Sequence, residues 1–180
     1  MSKNKNTIAL MAAVLVAMVT YGTAAVMFNN LLTPWWMPTG WAFSLSVLSF
    51  VLMPGLFRIV TDSGNRWING AVHSAVITGV FLCSITLINR IGIDSRPNET
   101  VETQIVRTYQ TTHYTTRRIS RNTYVKGSPY QMYHVVVQFP GGKEKNITVS
   151  RSTYTRLSRK RHIEVTLIRG LLGMEIIKGI

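Results

Sequence analysis

Four histidines, one cysteine and seven carboxylates are the chain's first candidates for metal or acid–base chemistry. His73, His113, His134 and His162 share no ligand spacing with one another or with Cys83, so no metal site is expected. No cofactor is expected either. Cys83 has no second cysteine to pair with, so no intramolecular disulfide can form and compartment cannot be read from cysteine usage. The carboxylates of the C-terminal half are dispersed, with Glu99 and Glu102 beside Pro97, and no Gly-x-Ser-x-Gly, His-Glu-x-x-His or P-loop pattern occurs. The chain therefore reads as non-enzymatic. The competing reading is a hydrolase whose Ser/His or Tyr/Arg site is assembled only in three dimensions.

Binding chemistry is better supplied. Basic residues fall in two groups: Arg117, Arg118, Arg121 and Lys126, then Arg156, Arg159, Lys160 and Arg161 with His162 beside them. Tyr109, Tyr114, Tyr124, Tyr130 and Tyr133 are interleaved with the first group. Cations among aromatic rings can hold a single-stranded polyanion by charge and stacking. The plainer reading is that Tyr and Thr are favoured strand residues and that surface arginines are solvated. Basic segments near a membrane gain about 1 kcal/mol per residue at an anionic surface, which ranks anionic lipid or an acidic envelope polymer ahead of nucleic acid.

The charges are segregated along the chain. No charged residue lies between Lys5 and Arg58 or between Arg66 and Arg90, whereas residues 95–180 carry fifteen Lys/Arg against five Asp/Glu. An uncharged half feeding a basic half is the pattern of a membrane anchor with an exposed domain. Crossing about 30 Å of hydrocarbon takes roughly 20 apolar residues, and three segments meet that length: 8–28, 38–57 and 67–89. Three transmembrane helices are therefore expected within residues 1–93, then a linker at 94–100 and a basic β domain at 101–180. Trp35, Trp36 and Trp41 at one connection and Trp67 at the other mark the two interfaces, where indole rings prefer to sit.

Lys3 and Lys5 in the N-terminal flank, and Arg58 with Arg66 in the second loop, outweigh the uncharged loop 29–37. The positive-inside rule then predicts a bacterial cytoplasmic-membrane protein with its N-terminus in the cytoplasm and its C-terminal domain outside. That placement disfavours nucleic acid as a partner. Gly22-Thr23-Ala24 resembles a signal-peptide cleavage site, but the apolar run continues to Phe28, which favours a retained anchor. Within the third segment Gly70, Ser74 and Thr78, with Ala71, Ala75 and Gly79 beside them, form small-xxx-small rows. Such rows let helices approach closely, within the bundle or between copies in a homo-oligomer. His73 is the most ionisable group inside a span and carries a functional reading by default. Its place within two turns of the interface favours a structural one.

Past Arg90 the apolar period changes to two. Tyr133, Val135, Val137 and Phe139 alternate with His134, Val136 and Gln138, then comes the turn Pro140-Gly141-Gly142, then Ile147 and Val149 in alternation: a hairpin. Ser150 offers a helix N-cap ahead of Tyr154 and Leu157, and Ile163, Val165 and Leu167 resume the strand period. Met174–Ile177 follows a turn bracketed by Gly170 and Gly173. Val101–Tyr109 alternates and runs into a Thr/Tyr-rich stretch as a long first strand, so the order is β-β-β-α-β-β, which suits an OB-like barrel, or an SH3-like one. This layout, with Tyr133-His-Val-Val-Val-Gln-Phe139 and Gly170-Leu-Leu-Gly173, resembles NfeD-type and related bacterial membrane proteins. The resemblance implies a membrane-anchored, C-terminal OB-like barrel. Where such barrels often carry a Gly-acidic turn before the fourth strand, this chain has Ser158-Arg159-Lys160-Arg161, so no partner or functional residue follows from it. The function expected is display of a basic β-barrel to a membrane or envelope protein, an anionic polymer or lipid. A cytoplasm-facing nucleic-acid or lipid binder is the alternative.

Overall fold

The structure is a computed structural model that describes residues 3–180; the side chains of residues 3–5 and 94, including the flanking Lys3 and Lys5, lie outside that description. The chain divides into two compact units, Met1–Pro97 with Ile168–Ile177, and Asn98–Leu167 with Lys178–Ile180.

The first unit is helical: α1 (Lys3–Phe28), α2 (Trp36–Leu52), the single turn α3 (Arg58–Thr61) and α4 (Arg66–Asn89). Asn65 caps α4, its side chain accepting the Trp67 N–H at 2.9 Å. This cap satisfies one of the donors every helix start leaves open. Two helices, over Asn6–Phe28 and Arg66–Asn89, are long and apolar enough to cross a membrane. The expectation of three is corrected here. Hydropathy predicts the middle span over 38–57, but its helix stops at Leu52 after 17 residues. Pro54 explains the stop, because it lacks an N–H and disfavours helix in the residue before it. Seventeen residues rise only about 25 Å, at the lower limit for a roughly 30 Å hydrocarbon core, so α2 falls below the length of the other two.

α4 is the centre of this unit. It runs antiparallel to α2, with Ser46 near Ser74 and Phe50 over Gly70, and parallel to α1, with Tyr21 beside Ala75 and Gly79. A buried cluster of Ala24, Leu31, Ala42, Leu82, Ile85, Met174 and Ile176 joins all three helices to the C-terminal segment.

That segment is held by backbone pairing. Leu32 N–H donates to Glu175 O at 2.9 Å, Ile177 N–H donates to Asn30 O at 2.8 Å, and Leu31 bridges Ile176. Its turn docks on the fully buried Asn89 at the end of α4. The Asn89 Nδ2 donates to Met174 O at 3.1 Å, its Oδ1 accepts from Leu172 N at 3.0 Å, and its own carbonyl accepts from Leu171 N at 3.0 Å. The Leu171 bond fills one of the carbonyl positions that a helix C-terminus leaves open. Gly170 is required by this contact, since a Cβ there would overlap the Asn89 amide and carbonyl oxygen, and Gly173 takes a left-handed φ of 79°.

The C-terminal half carries a five-stranded antiparallel sheet in the order β3-β2-β1-β4-β5. Its strands are β1 (Asn98–Ser120), β2 (Thr123–Gln138), β3 (Glu144–Val149), β4 (His162–Arg169) and β5 (Glu175–Gly179); helix α5 (Arg151–Leu157) lies between β3 and β4. The β2–β3 turn places Gly141 and Gly142 at φ 92° and 80°, where a side chain would be strained. Ser150 caps α5, accepting the Thr153 N–H at 3.2 Å. The core of the second unit takes alternate residues of its strands, Val135 and Val137, then Ile163, Val165 and Leu167, with Phe139 and Leu157. The buried Thr103 hydroxyl donates to Ile163 O at 3.1 Å and so ties β1 to β4.

Lys145 sits opposite the fully buried Val137 in the β2–β3 register. Burial lowers its pKa below the usual 10.5. The unfolded chain therefore holds the extra proton, and stability rises with pH from the lowered pKa up to 10.5. Lys145→Met should flatten that rise, measured as unfolding midpoints at neutral pH and near pH 10.

Candidate functional site: a basic ribbon

β1 and β2 pair from Gln104↔Gln138 out to Ser120↔Thr123, but β3 covers β2 only from Gln138 to Tyr133. Ile105 N–H donates to Arg161 O at 2.8 Å, just ahead of β4, so β4 runs back toward Asn98. Past Gln110↔Tyr133 the two strands continue as a two-stranded ribbon. Its ten residues of β1, 111–120, extend roughly 34 Å at strand rise. Residues 112–126 are all exposed. No Asp or Glu occurs between Glu102 and Glu144, an interval holding Arg107, Arg117, Arg118, Arg121, Lys126 and Lys143.

The side chains along the ribbon are ordered against each other. At its base Tyr109 stacks on His134 at 4.8 Å, with the Arg107 guanidinium 5.4 Å from the Tyr109 ring and Asn146 Nδ2 donating to the Tyr109 hydroxyl at 2.8 Å. Further out His113 stacks on Tyr130 at 5.6 Å. The Thr111 hydroxyl lies between the two imidazoles, 3.1 Å from His113 Nε2 and 3.0 Å from His134 Nε2. A bulge between Tyr114 and Thr116 shifts the register, and opposite it Gly127 leaves the room a Cβ would take from Thr115.

Beyond the bulge Lys126 Nζ lies 4.4 Å over the Tyr114 ring, the distance of a cation–π contact. Arg118 closes the end of the ribbon. It donates to the carbonyls of Ser120 (3.0 Å) and Arg121, and its guanidinium sits 6.0 Å from the Tyr124 ring. An open cleft of about 430 Å³ runs along this part, lined by Thr112–Thr116 and Tyr124–Lys126.

The first basic group is thus gathered at the far end of the ribbon. Of the second, Arg156 and Lys160, with His162, line an open groove of about 540 Å³ alongside Glu102, Leu157 and Glu164; Arg159 and Arg161 are exposed outside it. The two groups do not converge, because the groove lies by Glu102 while Arg117 is fifteen residues further along β1. Two carboxylates beside its three bases make the groove mixed in charge. The ribbon offers one sign only. Tyr133 faces away from it and packs against Tyr154 of α5 at 5.1 Å.

In the helical unit the small-residue rows split. Gly70 faces the Phe50 ring and the Ser74 carbonyl accepts from Ser46, so these meet α2; Gly79 faces Thr20 and Tyr21 of α1. Thr78 is buried, while Ala71 and Ala75 are exposed and the Ala75 carbonyl accepts from the Tyr21 hydroxyl at 2.9 Å. His73 is fully buried, its Nε2 3.2 Å from Ser49 Oγ and its ring between Phe50 and Phe57. Among the described residues no group of three or more His, Cys, Asp or Glu is placed to hold a metal. Neither Asn89 nor the Thr111 bridge stands out in the sequence. The Gly170-Leu-Leu-Gly173 pattern was the one available signal for the first, and nothing pointed to the second.

No family model matches the chain, and no curated protein or solved structure matches it significantly.

Proposed function

We propose that this is a non-enzymatic membrane protein whose helical half anchors a basic β domain outside the membrane, where the β1–β2 ribbon meets an anionic partner. The observation that carries the reading is the one-signed ribbon: cations and rings side by side over 41 residues without a carboxylate. A solvated face has no need of such bias. α1 and α4 run parallel and the antiparallel α2 with its flanks returns the chain between them, so the C-terminal ends of α1 and α4 share one side of the helical unit. With Lys3, Lys5, Arg58 and Arg66 flanking their N-terminal ends, the positive-inside rule puts that shared side outside. The strand order 3-2-1-4-5, with a helix between β3 and β4, supports an OB-like barrel of the kind the NfeD-type resemblance implies.

Binding of the full chain, in uncharged detergent, to fluorescent polyphosphate tests the reading. Affinity should fall steeply as salt is raised, because each neutralised charge releases counterions. Arg117→Gln/Arg121→Gln/Lys126→Gln should lose on the order of tenfold or more. Binding that is absent, or equal in wild type and variant, sinks the proposal. A reporter fused after Ile180 should be active outside the cytoplasm; a cytoplasmic signal there reverses the orientation.

A further inference from the structure

Resting on that reading, we infer that the end of the ribbon is a membrane-surface finger whose partner is an anionic lipid leaflet. The cations there do not stand alone. Ile119 is 64% exposed and Tyr124 60% exposed, with Val125 and Tyr114 also open to solvent, all within a few residues of the Arg121–Asn122 turn. A polyanion in water would leave Ile119 as wet as before. A lipid surface gives each group a destination: Arg117, Arg121 and Lys126 at the phosphates, Tyr124 at headgroup depth, Ile119 at the acyl boundary.

Two further observations favour this partner. A two-stranded ribbon is at best marginally stable in water by itself, so a flat surface that takes up its end supplies support the sheet does not. A second copy of the chain is a poor occupant, because two ribbons without a carboxylate between residues 103 and 143 would bring like charges together. Arg118 has a different task from its neighbours. Its bonds to the Ser120 and Arg121 carbonyls hold the turn in shape, so that Ile119 and Arg121 are presented in a fixed geometry.

The test uses the full chain in nanodiscs of phosphatidylcholine, mixed with free vesicles and followed by co-flotation. Wild type should bind vesicles containing phosphatidylglycerol and not vesicles of phosphatidylcholine alone. Arg117→Gln/Arg121→Gln/Lys126→Gln should weaken vesicle binding by about a hundredfold. Ile119→Ser, which removes no charge and leaves Arg118 in place, should weaken it by about tenfold while leaving polyphosphate binding unchanged. Polyphosphate binding without vesicle binding overturns the lipid partner and leaves the anionic reading standing. Loss of both probes from wild type overturns both. If Ile119→Ser binds vesicles as wild type does, the finger is wrong and the charge alone does the binding. Tighter binding of wild type to an oligodeoxythymidylate than to vesicles assigns the ribbon to nucleic acid instead.

Discussion

Asn89→Leu should destabilise the helical unit by about 1–3 kcal/mol, because it removes both side-chain hydrogen bonds that dock the 170–174 turn on α4. The native amide donates to Met174 O and accepts from Leu172 N, and it is fully buried. Leucine is bulkier than asparagine in this fully buried place, and it leaves the Leu172 N–H without its acceptor and the Met174 carbonyl with the Gly170 N–H alone. Asn89→Asp retains the acceptor for Leu172 but sets an oxygen against the Met174 carbonyl and buries an acid, so it should be at least as damaging as leucine. Gly170→Ala attacks the same contact from the other side, where its methyl would overlap Asn89 backbone that cannot swing away. The midpoint of thermal unfolding in detergent measures all three. Cys83 lies on α4 within the same unit and is partly exposed, so faster maleimide labelling should accompany each loss of stability. An Asn89→Leu protein with an unchanged midpoint and labelling rate would show that the turn does not depend on this residue.

The second large effect is expected at Gly79. A Cβ there would come within 2.7 Å of Thr20 Oγ1 and 2.8 Å of Tyr21 Cε2. Tyr21 cannot simply rotate out of the way, since its hydroxyl is bonded to the Ala75 carbonyl. Gly79→Val must therefore push α1 away from α4, at about 1–3 kcal/mol for an overpacked contact. Gly70→Ala is the internal comparison. Its methyl would meet only the Phe50 ring at 3.2 Å, which a small ring displacement relieves. In denaturant-gradient gels Gly79→Val should unfold well before wild type and Gly70→Ala close to it. The reverse order would mean that α2, not α1, makes the tighter approach to α4.

How much of this could be read from the residues alone depended on the range over which each signal acts. Pro140-Gly141-Gly142 and the alternation on either side of it dictate a hairpin locally, and the β2–β3 pair follows. Ser150 caps α5 through a bond to Thr153, three residues away, so that helix was legible too. The middle apolar segment was overextended because hydropathy does not register where a helix ends; Pro54 does, and it outweighs the apolar residues after it. The alternation of Val101–Tyr109 runs on into a Thr/Tyr-rich stretch, so a long first strand is legible, but where it ends is not. Past Tyr109 the Thr, Tyr and Arg are all surface residues, and no buried face marks the period. Asn89 was hidden for another reason. Its partners lie more than eighty residues away, and an asparagine at the end of a span reads as a helix stop.

The same distance sets an order of events during synthesis. The helical unit draws on residues up to Pro97 and again from Ile168, so about seventy residues must be made between its two parts. At about 5–20 residues per second that is a delay of roughly 4–14 s. Through that interval the end of α4 lacks the bonds to Asn89, and Ala24, Leu31, Ala42 and Leu82 lack Met174 and Ile176 as neighbours. A chain interrupted within the β domain would keep its apolar helices but never complete their packing. The unit thus carries its own mark of an unfinished chain, open to whatever machinery removes exposed apolar surface.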